Sequence, residues 1–518
     1  MNSTYDVAVV GSGFAGSLFA MIARRLGHSV ILLERGRHPR VVIGESSTPL
    51  SNLLLEDLAK RYDLPALRPL AKWGSWQAKY PDVACGLKRG FSFFHHDLGG
   101  AGSSETTAQN HFLVAASPHN AIADTHWYRA DFDQLLVKQA QQLGVAYVDE
   151  VHLQRFADTG DHIELTGTRG REEQTVHARF VVDATGPRGC LHRLLGLRQR
   201  DFLHYPETKA LYSHFSGVER AEEKCHAQKQ DCPPYPIEDA AVHHVFDGGW
   251  VWLLHFNNGI TSAGVAATEA MAHALRLTEA QPAWARLLEL IPSLASQFRN
   301  ARPVFPFTHL PRLSFRSATI VGERWALLPS AAGFVDPLLS TGFPLTLLGL
   351  SRLAALLERH SELSCLQEEL LRYAASTNDE LDATSRLIAA LYANMNNFPA
   401  FRAISLLYFA AASFSETARR LDKSHLAPGF LLHNDPRFGP ASRNLLERAQ
   451  AGIAEQDTGR FSAEVLRAIE PFDVAGLCSK RVTPWYPVDA DDLMRSAWKV
   501  GATDDEIARM LEQSGFYV

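Results

Sequence analysis

The segment Gly11-Ser-Gly13-Phe-Ala-Gly16 runs from a short apolar stretch, Tyr5-Asp-Val-Ala-Val-Val10, into a helical stretch reaching about Leu26. A second strand, Ser29-Val-Ile-Leu-Leu33, follows and ends in Glu34. The order strand, glycine turn, helix, strand predicts a βαβ unit built to hold a dinucleotide. Gly11 permits the tight turn, Gly13 lets a pyrophosphate approach the backbone, and Gly16 allows close helix–strand packing. Phosphate oxygens then meet free N–H groups at the helix N-terminus. Glu34, at the end of the second strand, is placed to accept hydrogen bonds from ribose hydroxyls.

The rest of the chain bounds what surrounds that unit. Its 518 residues hold 51 Lys+Arg against 57 Asp+Glu, a net charge of −6. That balance argues against a nucleic-acid partner, which needs clustered basic side chains. The one basic tract, Arg35-Gly-Arg-His-Pro-Arg40, reads as a solvated loop. Six cysteines without CxxC pairs read as a reducing, cytoplasmic setting, and no metal is expected. Cys225, His226 and Cys232 are close enough to suggest a metal, but a plain loop is the simpler reading. The start of the chain lacks a signal-peptide pattern, and the apolar stretch Ala400–Ser413 is too short and too polar at Arg402 for a membrane span.

Further along, Trp127-Tyr-Arg129-Ala-Asp-Phe-Asp133 opens an amphipathic helix to about Leu143, followed by a strand from Val145 to Val151. Ala178-Arg-Phe-Val-Val-Asp183-Ala-Thr-Gly186 is an apolar strand closing on a turn. From Gly189 to Asn300 the pattern is strands with aromatic alternation, Pro-rich loops and one helical run. Beyond Ala331 it is mostly helical, with helices expected over Phe343–Leu357, Ser361–Ser376 and Asn378–Asn394.

Three segments carry chemistry. Phe334-Val-Asp-Pro337-Leu-Leu-Ser340-Thr341-Gly342 breaks at Pro337 and enters a long helix, so the N–H groups of Thr341 and Gly342 form an anion seat at a positive helix end. Gly249-Trp250-Val-Trp252-Leu-Leu-His255 is an aromatic strand followed by Asn258-Gly259-Ile-Thr-Ser262-Ala-Gly264. Gly86-Leu-Lys88-Arg-Gly90-Phe-Ser-Phe-Phe94 puts a lysine at the mouth of an apolar-aromatic strand.

The fingerprint with Asp-Ala-Thr-Gly resembles FAD proteins of the para-hydroxybenzoate hydroxylase type, and the three segments resemble one branch of them, the flavin-dependent halogenases. The likeness spans most of residues 5 to 360. Residues 334–342 are similar to the family's FxxPxxSxG pattern, 250–252 to its WxW signature, and Lys88-Arg-Gly90 to the lysine strand of its phenol- and pyrrole-directed members. Leu254 and His255 depart from the Ile and Pro expected after the tryptophans. Gly44-Glu45-Ser46 and Arg129 match cofactor-contacting stretches, while Ser330 stands where relatives carry an aspartate beside the ribityl chain.

The resemblance implies an α/β fold: a Rossmann-type FAD-binding domain from 1–190 and 300–360, an inserted substrate-side β-sheet region over 191–299, and a helical region over 361–518 covering the substrate pocket. It implies Lys88 as catalytic residue, and Gly11, Gly13, Gly16, Glu34, Glu45, Arg129, Asp183, Gly186, Ser330 and Pro337 around FAD. Ser340, Thr341 and Gly342 would hold chloride or bromide, with Trp250 and Trp252 walling the substrate tunnel. Reduced flavin and O2 convert halide to hypohalous acid, which a lysine guides to the ring. Leu339 replaces the Glu of tryptophan-directed relatives, which points to a phenol- or pyrrole-like substrate, free or tethered to a carrier protein. No second nucleotide fingerprint is present, so an NADH-dependent flavin reductase is the expected partner. His95 or His96 is a candidate general base, and Lys72 and Lys79 are lesser candidates for the lysine. The aromatics Phe398, Phe401, Tyr408, Phe409 and Phe414 read as core packing. An aromatic hydroxylase or reductase without halide chemistry, and a non-catalytic flavin-binding relative, remain as competing readings.

Overall fold

Residues 7–10, Val-Ala-Val-Val, are apolar without alternation, the pattern of a strand covered on both faces. Thr4–Val10 is that strand, Phe14–Arg25 the following helix and Val30–Leu33 the next strand. The computed structural model describes residues 4–98, 110–221, 233–360, 366–479 and 485–517. Cys225, His226 and Cys232 lie outside them. Among the described residues no group of His, Cys, Asp and Glu is arranged to hold a metal.

The first strand pairs in parallel with the second, Val10 beside Leu33, and with Glu172–Asp183, Val10 beside Asp183. Trp325–Leu327 and Ala146–Val148 extend the parallel sheet on either side. Running in the same direction, these strands deliver Gly11, Glu34 and Ala184 to one carboxyl edge, where open α/β sheets bind ligands.

A second sheet is antiparallel except at two strand pairs. Its order is Arg302–Pro303, Thr208–Ser216, Ile260–Thr268, Gly249–His255, Ala241–Phe246, Gly90–His95, His111–Ala115 and Trp485–Tyr486. It therefore draws strands from the region before residue 190 and from beyond 480, as well as from the middle of the chain. A short ladder, Cys85–Lys88 with Asp124–Trp127, lies beside it and sets Lys88 opposite Asp124.

Several local expectations need correction. Trp127 ends a strand, and the helix starts at Arg129, running to Gln142. The strand expected over Val145–Val151 is two strands, Ala146–Val148 and Val151–Asp158. The two helices expected on either side of Thr377 are one helix, Gln367–Tyr392. Thr377 is accommodated within it, buried, with its hydroxyl donating to the Tyr373 carbonyl one turn back. The apolar stretch near residue 400 is longer than its composition suggested. Phe398–Arg420 and Leu338–Arg359 are each long and apolar enough to cross a membrane, and both are mostly buried inside the protein as core helices.

Candidate active site

At the carboxyl edge of the parallel sheet, steric facts single out the glycine loop. Gly11 has φ +98°, and a Cβ on Gly16 would lie 1.8 Å from the Gly11 carbonyl oxygen. A Cβ on Gly11 would strike Ala184 and Thr185 at 2.9 Å, so the Asp183–Gly186 turn packs directly on the loop. Asp183 is buried and accepts from Thr185 N at 2.8 Å and Leu191 N at 2.6 Å; it thus shapes its own turn, while burial raises its pKa. Glu34 accepts from Ser12 N and Ser12 Oγ at 2.9 Å, from Gly36 N at 2.8 Å and from Arg40 at 3.1 Å. Burial alone would raise its pKa, but Arg40 and these N–H donors bring it below the usual carboxylate range. Arg40 therefore folds back on Glu34, and His38 Nε2 lies 2.8 Å from Ser12 Oγ. Within the basic tract, His38 and Arg40 thus fold back on the glycine loop, while Arg35, Arg37 and Pro39 are exposed as a solvated loop would be.

Arg129 grips Asp133 through two 2.8 Å bonds, donates to the Gly44 carbonyl at 2.8 Å, and points at the glycine loop, 3.4 Å from where a Gly13 Cβ would stand. Glu45 is buried against His214 at 2.6 Å, with its second oxygen unpartnered. Ser330 sits half-buried in the short helix Pro329–Ala332.

The second group forms around Lys88, which is fully buried. Its ammonium donates to Ser46 Oγ at 2.9 Å and to the Ser47 carbonyl at 2.5 Å, and stands 3.9 Å from the centre of the Phe91 ring. Ser340 Oγ of the FxxPxxSxG segment is 3.5 Å away. The segment turns sharply there: Leu339 and Ser340 both have positive φ, 62° and 54°. A left-handed non-glycine residue costs roughly 1–3 kcal/mol, and such strain gathers at functional sites. After a 3-10 turn over Leu338–Ser340, the helix Gly342–Arg359 begins, so Thr341 and Gly342 stand at its first positions, where N–H groups have no internal acceptor. Burial pushes the Lys88 pKa down, and Asp124, opposite on the next strand, opposes that shift. Burial raises Asp124 in turn.

Trp250 and Trp252 lie side by side, ring centres 5.7 Å apart. Trp252 donates to Ser262 Oγ at 3.3 Å, and Trp250 donates to Tyr392 Oη at 3.1 Å. Tyr392 and Tyr205 both donate to Asp336, at 3.0 and 2.8 Å, inside the FxxPxxSxG segment. This network was not anticipated; an acidic residue between Val335 and Pro337 in an otherwise apolar segment was the available signal. At the departing positions, Leu254 is buried and His255 lies 3.2 Å from Glu238 and 3.0 Å from Thr261 Oγ1, so the strand pairs to its end.

Beside Lys88 opens a cavity of about 180 Å³, lined by Thr48, Phe91, Asp124, Pro344, Tyr408 and Phe409 among others. An apolar cavity of ~150 Å³ holds a benzene ring. Val474, Leu477, Tyr486, Met510 and Leu511 close it from the C-terminal side. Of the five tail aromatics, Phe398, Phe401 and Phe414 are core, whereas Tyr408 and Phe409 face the cavity. His95 and His96 are not among its lining residues; they lie against the Met395 carbonyl and His244. Lys79 is exposed, and Lys72 reaches the rim of the cavity, donating to the Ser514 carbonyl.

The profile of the tryptophan halogenase family matches residues 108–400. The chain belongs to that family. It is 31% identical to the tetracycline 7-halogenase of Kitasatospora aureofaciens over 65% of this chain and 60% of that protein. It is 29% identical to the monodechloroaminopyrrolnitrin halogenase of Pseudomonas fluorescens over 71% of this chain and 66% of that one. The chain thus spans somewhat under two thirds of the length of these two relatives. Among solved structures, halogenase PltM in complex with phloroglucinol and FAD shares the fold with a TM-score of 0.81 at 24% identity, over 92% of this chain and 98% of that one.

Proposed function

We propose that this protein is a flavin-dependent halogenase that uses reduced FAD, O2 and chloride or bromide to halogenate an electron-rich phenol- or pyrrole-like ring. What supports it most is the meeting of Lys88 with Ser340 across 252 residues of sequence. The lysine strand and the FxxPxxSxG segment are brought to one point, beside a cavity large enough for an aromatic ring.

The carboxyl edge fits FAD: the Gly16 contact leaves no room for a side chain, Glu34 suits a ribose, and Arg129 points at the loop that would face the pyrophosphate. Bound reduced flavin supplies the oxidising equivalent from O2 that turns halide into hypohalous acid. The chain's own residues do the rest. Thr341 and Gly342, with Ser340, offer donors to the halide at the positive helix end. Trp250 and Trp252 would stand between bound flavin and substrate, and Tyr392, bonded to both Trp250 and Asp336, ties the FxxPxxSxG segment to that pair. Lys88, dry and held by Ser46 and Ser47, hydrogen-bonds hypohalous acid or is halogenated by it, and directs the electrophile into the cavity. The C-terminal helices roof the cavity and exclude water from the reactive halogen. Reducing equivalents come from an NADH-dependent flavin reductase, and the setting is the cytoplasm. Relatives named as halogenases of pyrrole on a peptidyl carrier protein support a carrier-tethered substrate as readily as a free one.

The test is the purified protein with FAD, a flavin reductase, NADH, O2 and bromide, with an activated phenol as trap. Halide-dependent brominated phenol is the expected outcome. Hydroxylated product, or peroxide regardless of halide, would replace this reading with the monooxygenase one.

A further inference from the structure

The cavity beside Lys88 is walled mainly by apolar side chains, and the carboxylates that reach it differ in how they are engaged. Glu416 is held by Arg420 at 2.9 Å, and Asp489 caps a helix through Asp491 N at 2.9 Å. Asp124 also lines the cavity and is 5% exposed. One oxygen accepts from Asn52 Nδ2 at 2.8 Å; the other accepts nothing and is buried. A buried carboxylate oxygen without a donor costs free energy unless a ligand supplies one.

We propose that Asp124 is a catalytic residue of this site: its unpartnered oxygen accepts the ring hydroxyl or N–H of the aromatic substrate and takes that proton while the halogen is delivered from Lys88. This rests on the halogenase reading above. A phenol becomes a far better carbon nucleophile as its O–H proton leaves, so a base on the strand facing Lys88 activates the ring where the electrophile arrives.

The step balances. The O–H proton passes to Asp124, a ring carbon forms the C–X bond, and the O–X bond of hypohalous acid breaks. The departing hydroxide takes a proton from the Lys88 ammonium and leaves as water. The ring carbon then gives its C–H proton to the Lys88 amine, and the oxygen recovers its proton from Asp124. Halogen is reduced by two electrons and the ring is oxidised by two. Groups facing Asp124 from the packed elements are Lys88, Asn52, Tyr235, Tyr408, Glu416 and Arg420. Burial raises the carboxyl above the ordinary range, closer to the acidity of a phenol it must deprotonate.

The test compares Asp124→Asn, which keeps shape and the Asn52 contact, with wild type on two phenols under bromide. One, 4-methylphenol, is neutral at the assay pH, and the other, 4-nitrophenol, is substantially ionised. The inference expects kcat on the neutral phenol to fall by about 10²–10⁴ and on the ionised one by less than about tenfold, with the acid limb of the pH profile gone. Asp124→Glu, which keeps a base, retains that limb. Equal losses on both phenols, or an unchanged acid limb in Asp124→Asn, would overturn it and leave Asp124 as support for Lys88. Halide oxidation is read separately with a non-aromatic 1,3-diketone trap. If wild type brominates neither phenol nor diketone, the halogenase reading falls and takes this inference with it. If it brominates the diketone and only the phenol comparison fails, the assignment to Asp124 alone is lost.

Discussion

The glycine-loop edge and the Lys88 cluster both bury charge, but they settle it differently. At the edge, Arg129 is paired with Asp133 four residues away, and Asp183 is satisfied by its own turn. Glu34 has four donors from residues 12, 36 and 40. Around Lys88 the partners come from residues 46, 47 and 340, and the opposing carboxylate keeps an oxygen without a donor. The charges at the edge are mostly answered by neighbours close in sequence, Glu45 keeping one oxygen unpartnered, whereas those of the cluster are answered from afar and leave the carboxylate facing the lysine incompletely satisfied. Incomplete satisfaction in a dry place is a cost to stability that function repays.

The contrast is sharpest if removing the lysine abolishes chemistry without loosening the cofactor. Lys88→Ala is expected to lower halogenated product by about 10²–10⁴ while reduced-flavin oxidation by O2 continues, followed by product analysis beside oxygen uptake. Gly16→Ala strikes the other region. Its Cβ would sit 1.8 Å from the Gly11 carbonyl, so the loop must shift, at a cost of roughly 1–3 kcal/mol, and flavin titration should show occupancy lost. Wild-type FAD affinity in the Gly16→Ala variant would break the comparison.

Asp336 tests the seam between the two regions. Burial raises its pKa to about 6, against an unfolded value of roughly 3.9. Between those pH values the folded state holds a proton that the unfolded state has released. This contribution to stability is therefore full below about 4 and is lost as pH rises through about 6. Asp336→Asn has no such titration, so its Tm relative to wild type should be more favourable at pH 7 than at pH 4.5. Trp250→Phe removes the donor to Tyr392 and should cost about 1 kcal/mol in denaturant unfolding. Smallest of all is Arg40→Ala. Its pair with Glu34 is partly exposed and worth roughly 0.2–1 kcal/mol, so flavin affinity should fall by less than about sixfold.

The same contrast decides what was readable beforehand. The βαβ unit, the Asp183 turn and the strand–helix order were legible because each is local, set by apolar periodicity and glycine spacing. Lys88 and Ser340 were legible only as separate motifs on a family likeness; that they meet is a product of long-range packing. Asp124 was missed because it lies three residues before the Trp127 taken to open a helix, and only its place opposite Lys88 in a ladder gives it meaning. His95 and His96 drew attention for their acidity alone, which says nothing about where the sheet turns them.

The outermost strand of the large sheet has a consequence for how the molecule is made. Trp485 donates to His111 across a separation of 374 residues, and its strand covers the edge of His111–Ala115. A ribosome adding about 5–20 residues per second takes roughly 20–75 s to supply that cover. Until then the growing chain carries an uncapped β-edge with Phe112 and Leu113 on it, an invitation to pair with a neighbouring chain. Yield in a host is then a matter of what shields that edge during synthesis, and a chaperone that binds extended apolar segments is the natural aid.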